Sequence, residues 1–151
     1  MALFLVQHGL SLSKEIDPEK GLSEKGKEEN QLIADVAKHY AIHVDRIVHS
    51  GKKRAEQTAV AFQKALSVEA GIEKMAGIEP LGDVKAFAEV LDVEENLMVV
   101  GHLPFMEKLV SYLTTGSEEI LVYRFQNSGI VCLDQEDDNW FIKWTLNPNI
   151  S

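Results

Sequence analysis

Three residues of this sequence stand where proteins built from alternating strands and helices keep their chemistry. His8 follows the apolar run Ala2-Leu3-Phe4-Leu5-Val6. Arg54 falls in the first turn of a helix expected after Arg46-Ile47-Val48-His49-Ser50. His102 lies between Asn96-Leu97-Met98-Val99-Val100 and the next helix. In a parallel sheet such strand-to-helix junctions share one edge, so the three side chains can converge. Helix N-termini also aim free N–H groups and positive dipole ends at that edge. Two histidines, one arginine and such helix ends describe a pocket for an anion, phosphate above all. Singly, each residue has a plainer interpretation. His8 could be a satisfied structural histidine, Arg54 beside Lys52 and Lys53 a solvated helix start, and His102 a cap. Their occurrence at three like junctions favours the joint functional interpretation. His39 and His43 fall in a helix end and a polar loop and read as solvated. His49 lies near the end of the second strand.

The elements that would position these residues follow from hydrophobic periodicity. Ala2 to Val6 is a continuous apolar run of the kind buried on both faces of a sheet. Ser23 is an N-cap for a helix reaching Tyr40, with Leu32, Ile33, Val36, Ala37 and Tyr40 on its apolar face. Ser50 and Gly51 open a helix from Lys52 to Leu66, with Ala55, Ala59, Phe62 and Leu66 on one face. A turn-rich stretch runs through Pro80. Val84, Phe87, Ala88 and Leu91 then mark a third helix. Pro104 suits the first turn of a fourth, with Met106, Leu109, Val110 and Leu113 inward. Ile120 to Phe125, Gly129 to Leu133 and Trp140 to Leu146 read as strands, the last two joined by the acidic turn Gln135 to Asn139. The expectation is an α/β three-layer sandwich: one domain over residues 1–151, a mainly parallel sheet, helices on both faces and antiparallel strands at an edge.

Bulk properties narrow the partners. The chain has 151 residues and a formal net charge of −9. That acidity argues against nucleic acid or an anionic membrane as the main partner, though not against a local phosphate pocket. Cys132 is the only cysteine, so no internal disulfide or cysteine-based zinc site can form. Within Ile130-Val131-Cys132-Leu133 it reads as a small buried hydrophobe. The first apolar run has no basic stretch before it and is too short for a signal peptide or a membrane span. A cytoplasmic location is therefore expected.

The ordered motifs resemble the histidine phosphatase superfamily, with its phosphoglycerate mutase-like fold, and within it the SixA-like phosphohistidine phosphatases. The Arg-His-Gly signature after the first strand is here Gln7-His8-Gly9. The Leu-Ser/Thr-x-x-Gly signature is Leu22-Ser23-Glu24-Lys25-Gly26, and Ser-Pro-x-x-Arg-Ala-x-Gln-Thr is Ser50-Gly51-Lys52-Lys53-Arg54-Ala55-Glu56-Gln57-Thr58. Pro80-Leu81-Gly82-Asp83 and Gly101-His102-Leu103-Pro104 match two further motifs. The tail, from Phe125 to Ser128 and from Trp144 to Pro148, is similar to that of the SixA-like branch. The match spans nearly the whole chain.

The resemblance implies a metal-independent phosphatase without a cofactor. His8 would attack phosphorus and become phosphohistidine, with its other nitrogen held by a backbone carbonyl. Arg54 would fork onto phosphoryl oxygens, and His102 would add a hydrogen bond, with charge if protonated. Gln7 and Gly9 complete the implied phosphate contacts. Asp83 is the implied general acid and Glu79 the second choice. The substrate would be a phosphohistidine protein or a small phosphorylated molecule, with inorganic phosphate or a similar anion in the pocket. The chain lacks the lid insertions of larger relatives, which suits an open site and a protein surface. Gln7 stands where the family carries arginine, so one charge and one guanidinium fork are missing. Gly51 likewise replaces a proline. Weakened turnover is expected, and Lys52 or Lys53 could supply part of the missing charge. Two alternatives stay open: a non-catalytic module that binds phosphate or phosphoprotein, and a metal site built from His8, His49 and His102.

Overall fold

A computed structural model describes residues 2–150. Its elements in chain order are β1 (Leu3–Gln7), α1 (Glu24–His39), β2 (Arg46–His49), α2 (Lys53–Leu66), β3 (Ile72–Lys74), α3 (Val84–Glu89), β4 (Leu97–Gly101), α4 (Phe105–Thr115), β5 (Ile130–Glu136) and β6 (Asn139–Leu146). They form one six-stranded sheet in the order β3-β2-β4-β1-β5-β6. The pairs from β3 to β1 are parallel, and β5 and β6 add two antiparallel strands beyond β1.

Successive residues of β1 feed opposite faces, and both faces are covered. Phe4 and Val6 enter a core with Ile33 and Ala37 of α1 and Phe62 of α2. Leu3 and Leu5 enter a second core with Phe87 of α3 and Phe105 and Leu109 of α4. This is why the strand reads as an unbroken apolar run. It also fixes where a ligand can go. The chain leaves β1 toward α1 on one face and leaves β4 toward α4 on the other. The neighbours β1 and β4 therefore flank a topological switch point, the crevice where open α/β sheets bind ligands.

Some local expectations need correction. Ile120 to Phe125 is not a strand. Both edges of β5 are already taken, by β1 and β6. The segment's N–H groups turn to α4 instead: Ile120 donates to Ser111 Oγ at 3.0 Å and Phe125 to Glu107 Oε2 at 3.3 Å. The short strand β3 arises in the stretch read as turns, because β2 offers it a parallel edge. Helix α1 buries Gly26, Asn30, Ile33, Ala34 and Ala37, while Leu32 and Tyr40 are exposed. The buried stripe is rotated because α1 must pack two small or polar positions, Gly26 and Asn30, against the chain leaving β1.

Gly26 shows how closely that chain lies. A Cβ at this position would run into the backbone carbonyl of Leu10. The same carbonyl accepts hydrogen bonds from Ser23 N at 2.9 Å and Ser23 Oγ at 3.0 Å, so it is poorly placed to withdraw. Gly→Ala inside a helix ordinarily gains about 1 kcal/mol from propensity. Here overpacking, at about 1–3 kcal/mol, is expected to win, so Gly26→Ala lowers the unfolding free energy in a urea titration. A gain in stability would show that the Leu10 carbonyl can move aside.

Candidate active site

Strand register brings the histidines together. Gln7 pairs with Gly101 across β1 and β4, so His8 and His102 are the next residues on adjacent parallel strands. Their ring centroids lie 5.0 Å apart, tilted by 49°, close to the spacing of neighbouring strands. His8 N donates to Gly101 O at 3.0 Å and Asn127 Nδ2 donates to His8 O at 3.0 Å, which pins the His8 backbone from both sides. On the other flank His49 pairs with Val100, which sets Ser50 level with Gly101. Ser50 Oγ then lies 2.6 Å from His102 Nε2.

Both rings are held neutral at physiological pH. His8 Nδ1 lies 2.7 Å from the carbonyl oxygen of Gly9 and must carry a proton to donate to it, which leaves the lone pair on Nε2. Burial, with Arg54 and Lys20 nearby, lowers the His8 pKa to about 4, against the raising effect of the Gly9 contact. Burial first, then His8, Arg54 and Lys52, lowers that of His102 to about 3. His102 is thus not the charged donor that protonation would make it. Its Nδ1 is buried with no hydrogen-bond partner among the described residues, as is Gln7 Oε1.

The cationic side of the site comes from α2 and one loop. Arg54 is half-buried at the start of α2, and among the described residues its guanidinium has no carboxylate partner. Burial lowers its pKa. Of the two lysines beside it, Lys53 is tied to Asp17 at 3.0 Å and Glu19 at 3.5 Å. It has little charge to spare for the pocket, whereas the field of Lys52 reaches His102. Lys20 is a residue that sequence reasoning missed. It adopts a left-handed backbone with φ of 53° and acts electrostatically on His8. Asp17 braces that turn by accepting from Gly21 N at 3.0 Å. The only signal was its place at the end of a polar loop.

A buried polar network holds these parts in register, and it too was missed. Thr58 Oγ1 accepts from Gly9 N and Asn30 Nδ2, both at 3.0 Å, and donates to Arg54 O at 2.8 Å. Ser128 Oγ donates to Asn30 Oδ1, and Ser128 N donates to Gln7 O at 3.0 Å. Thr58 closes the motif that carries Arg54, which was a usable signal. Asn30 left none, since its partners are remote in sequence, and Ser128 was marked only as the end of the tail motif that starts at Phe125. Gly9 fits because a Cβ there would come within 3.0 Å of Asn30 and Leu22.

Other expected residues lie apart. Asp83 is exposed and caps α3 by accepting from Ala86 N at 3.1 Å; among the described residues no hydrogen bond or ion pair joins it to His8, Arg54 or His102. Glu79 accepts from Gly77 N at 2.9 Å. Gly51, at φ +90°, packs against Lys74, and its N–H donates to His49 Nδ1 at 3.0 Å, so that imidazole is occupied. Among the described residues no group of three or more His, Cys, Asp or Glu is placed to hold a metal ion. His39 and His43 are exposed, the latter pairing with Asp45. Cys132 is buried, and burial pushes its thiol up to about 11. Among the described residues no helix is long and apolar enough to cross a membrane.

The six-stranded sheet with its helices matches the phosphoglycerate mutase-like fold of solved histidine phosphatases. No model of a protein family matches the chain. It is 29% identical to the phosphohistidine phosphatase SixA of Escherichia coli (strain K12), over 98% of this chain and 94% of that protein. It superposes on the protein histidine phosphatase SixA complexed with tungstate at a TM-score of 0.85, with 27% identity and coverage of 98% and 97%. A SixA structure from Agrobacterium tumefaciens gives 0.81 at 27% identity, with 98% of each chain covered. The α-ribazole phosphatase of Shigella flexneri, at 15% identity, shares the fold with a TM-score of 0.80 over 100% of this chain and 98% of that one. The chain is a homologue of SixA.

Two outcomes follow from the geometry. Thr58→Val keeps the shape but leaves two buried donors without an acceptor, at about 1–3 kcal/mol each. A stability loss of roughly 2–6 kcal/mol is expected from denaturant unfolding; a loss below about 1 kcal/mol would remove Thr58 from its central place. The second concerns pH. In the unfolded chain both histidines titrate near 6.5, against about 4 and 3 in the fold. Below pH 6.5 the unfolded chain binds protons that the fold excludes. Stability therefore falls as the pH drops from about 6.5 toward 4, by up to about 1.4 kcal/mol per pH unit for each histidine. His102→Asn should flatten this slope in unfolding titrations run across that window, and an unchanged slope would contradict it.

Proposed function

We propose that the protein is a metal-independent phosphohistidine phosphatase working through a covalent phosphohistidine on His8, with turnover lowered by Gln7. The observation that carries this is His8 itself: a neutral imidazole whose Nδ1 proton is engaged by the Gly9 carbonyl, beside His102 and near the positive field of Arg54. A nucleophilic histidine needs that tautomer and that protonation state.

In the first step the His8 Nε2 lone pair forms a bond to phosphorus. The P–N bond to the substrate imidazole breaks, and the leaving imidazole takes a proton from water. In the second step water attacks phosphorus, the P–Nε2 bond breaks, phosphate leaves and neutral His8 returns. Arg54, without a carboxylate partner, gains two charge-assisted hydrogen bonds to the phosphoryl oxygens. The incoming anion opposes the influences that hold His102 neutral, so His102 can take up a proton and donate to it. Gly9 supports this geometry through its carbonyl. Asp83 and Glu79 both serve local backbone N–H groups, and imidazole is a better leaving group than an alkoxide. Neither carboxylate is required as the general acid on this account. The similarity to SixA over the whole chain supports the substrate class.

At position 7 a neutral amide replaces a charged fork. A hydrogen bond to a charged group is worth about 1.5–3 kcal/mol, a factor of roughly 10–150 in rate. Gln7→Arg should raise phosphoimidazole hydrolysis within that range. A folded variant that is no faster would overturn this account of Gln7. The same neutral amide favours one second reading, a non-catalytic phosphate- or phosphoprotein-binding module. Incubation with phosphoimidazole separates the two: the enzyme gives an acid-labile adduct on His8 and released phosphate, whereas the binding module takes up phosphate with neither.

A further inference from the structure

Beside the His8 pocket runs an open groove of ≈ 820 Å³ whose charge is opposite to that of the molecule. Five cations line it, Lys14, Lys20, Lys52, Lys53 and Arg54, against two carboxylates, Glu19 and Glu56. The whole chain carries −9. Lys53 pairs with Asp17 and Glu19, a group that carries one net negative charge. Among the described residues, Lys14, Lys20, Lys52 and Arg54 have no such carboxylate partner. The groove is far larger than one phosphoryl group needs, and its position is set by rigid parts: the first turns of α2 on one side and the Asp17-braced turn on the other.

We propose that this groove docks an acidic segment of a protein, flanking the phosphohistidine that enters the pocket. The proposal rests on the phosphatase reading above and names the character of its substrate. An acidic partner is repelled by most of this surface and attracted here, so the charge pattern steers it to one orientation. Arg54, a half-buried lining residue, acts electrostatically on both His8 and His102, as do Lys20 on His8 and Lys52 on His102. A chain seated along the lysines therefore delivers its modified side chain to the nucleophile. The lining contains no aromatic residue, which disfavours single-stranded nucleic acid, whose binding draws on base stacking.

The test uses three synthetic peptides that carry one phosphohistidine flanked on each side by four Glu, four Ser or four Lys, with phosphoimidazole as the small control. The Glu peptide should exceed the Ser peptide in kcat/KM by about tenfold at low salt, with the Lys peptide below both. The advantage should collapse in about 0.5 M salt, where screening acts over a few ångströms. Lys14→Glu, at an exposed lining residue whose charge is not among those acting on His8 or His102, should cut kcat/KM for the Glu peptide several-fold and leave phosphoimidazole turnover unchanged. Equal kcat/KM for the three peptides, with phosphoimidazole still hydrolysed, overturns the groove proposal alone. If phosphoimidazole is not turned over, the phosphatase reading fails instead. Calorimetric binding of the unphosphorylated Glu peptide, weakened by Lys14→Glu, then still reports on the groove. Tighter binding of a single-stranded oligonucleotide than of the Glu peptide would also overturn it.

Discussion

The hydroxyl of Thr58 is the point through which the site is assembled. It has one proton and two lone pairs, and all three are used: toward the Arg54 carbonyl, the Gly9 N–H and the Asn30 amide. Those partners belong to α2, the chain leaving β1, and α1. One side chain therefore ties the turn presenting Arg54 to the loop presenting His8, and both to the helix behind them. Thr58, Gly9 and Asn30 are buried, so a shift of one element leaves a donor unsatisfied. Ser128, at φ 67°, extends the tie to the chain entering β5 and to Gln7 O.

The sheet supplies what this network then refines. Parallel pairing of β1 with β4 puts His8 and His102 one step beyond a matched pair, and the departure of their helices to opposite faces opens the crevice between them. Burial there has a chemical consequence. It removes the water that would stabilise imidazolium, and neighbouring cations push in the same direction, so both rings stay neutral. A neutral imidazole with its Nδ1 proton engaged is a nucleophile, whereas a protonated one is not.

Gln7 leaves the end of β1 without a charge. The amide is buried at the end of β1, on the same strand face as Leu3 and Leu5. The positive potential comes instead from Arg54, Lys20 and Lys52, on other elements. Lys53, next to Arg54 in sequence, is spent on Asp17 and Glu19.

Much of this was legible in the residues alone. The runs Leu3 to Val6 and Leu97 to Val100 had to be buried strands because apolar continuity needs cover on both faces. Ser23 had to start a helix because its hydroxyl can satisfy the Gly26 N–H. His8, Arg54 and His102 fell at junctions that a parallel sheet must gather on one edge. What only the tertiary structure decided depends on partners far apart in sequence. Ile120 to Phe125 has strand composition, yet β5 had no free edge for it. Leu32 and Tyr40 have core character, yet α1 turns Gly26 and Asn30 inward because the chain after β1 presses on it. The protonation of the histidines, the pairing of Lys53 and the part played by Lys20 all depend on distances of a few ångströms between separate loops. Local sequence specifies elements through short-range periodicity and caps. Charge state and hydrogen-bond completion belong to the packed molecule, since burial and neighbouring charge exist only once the chain has folded.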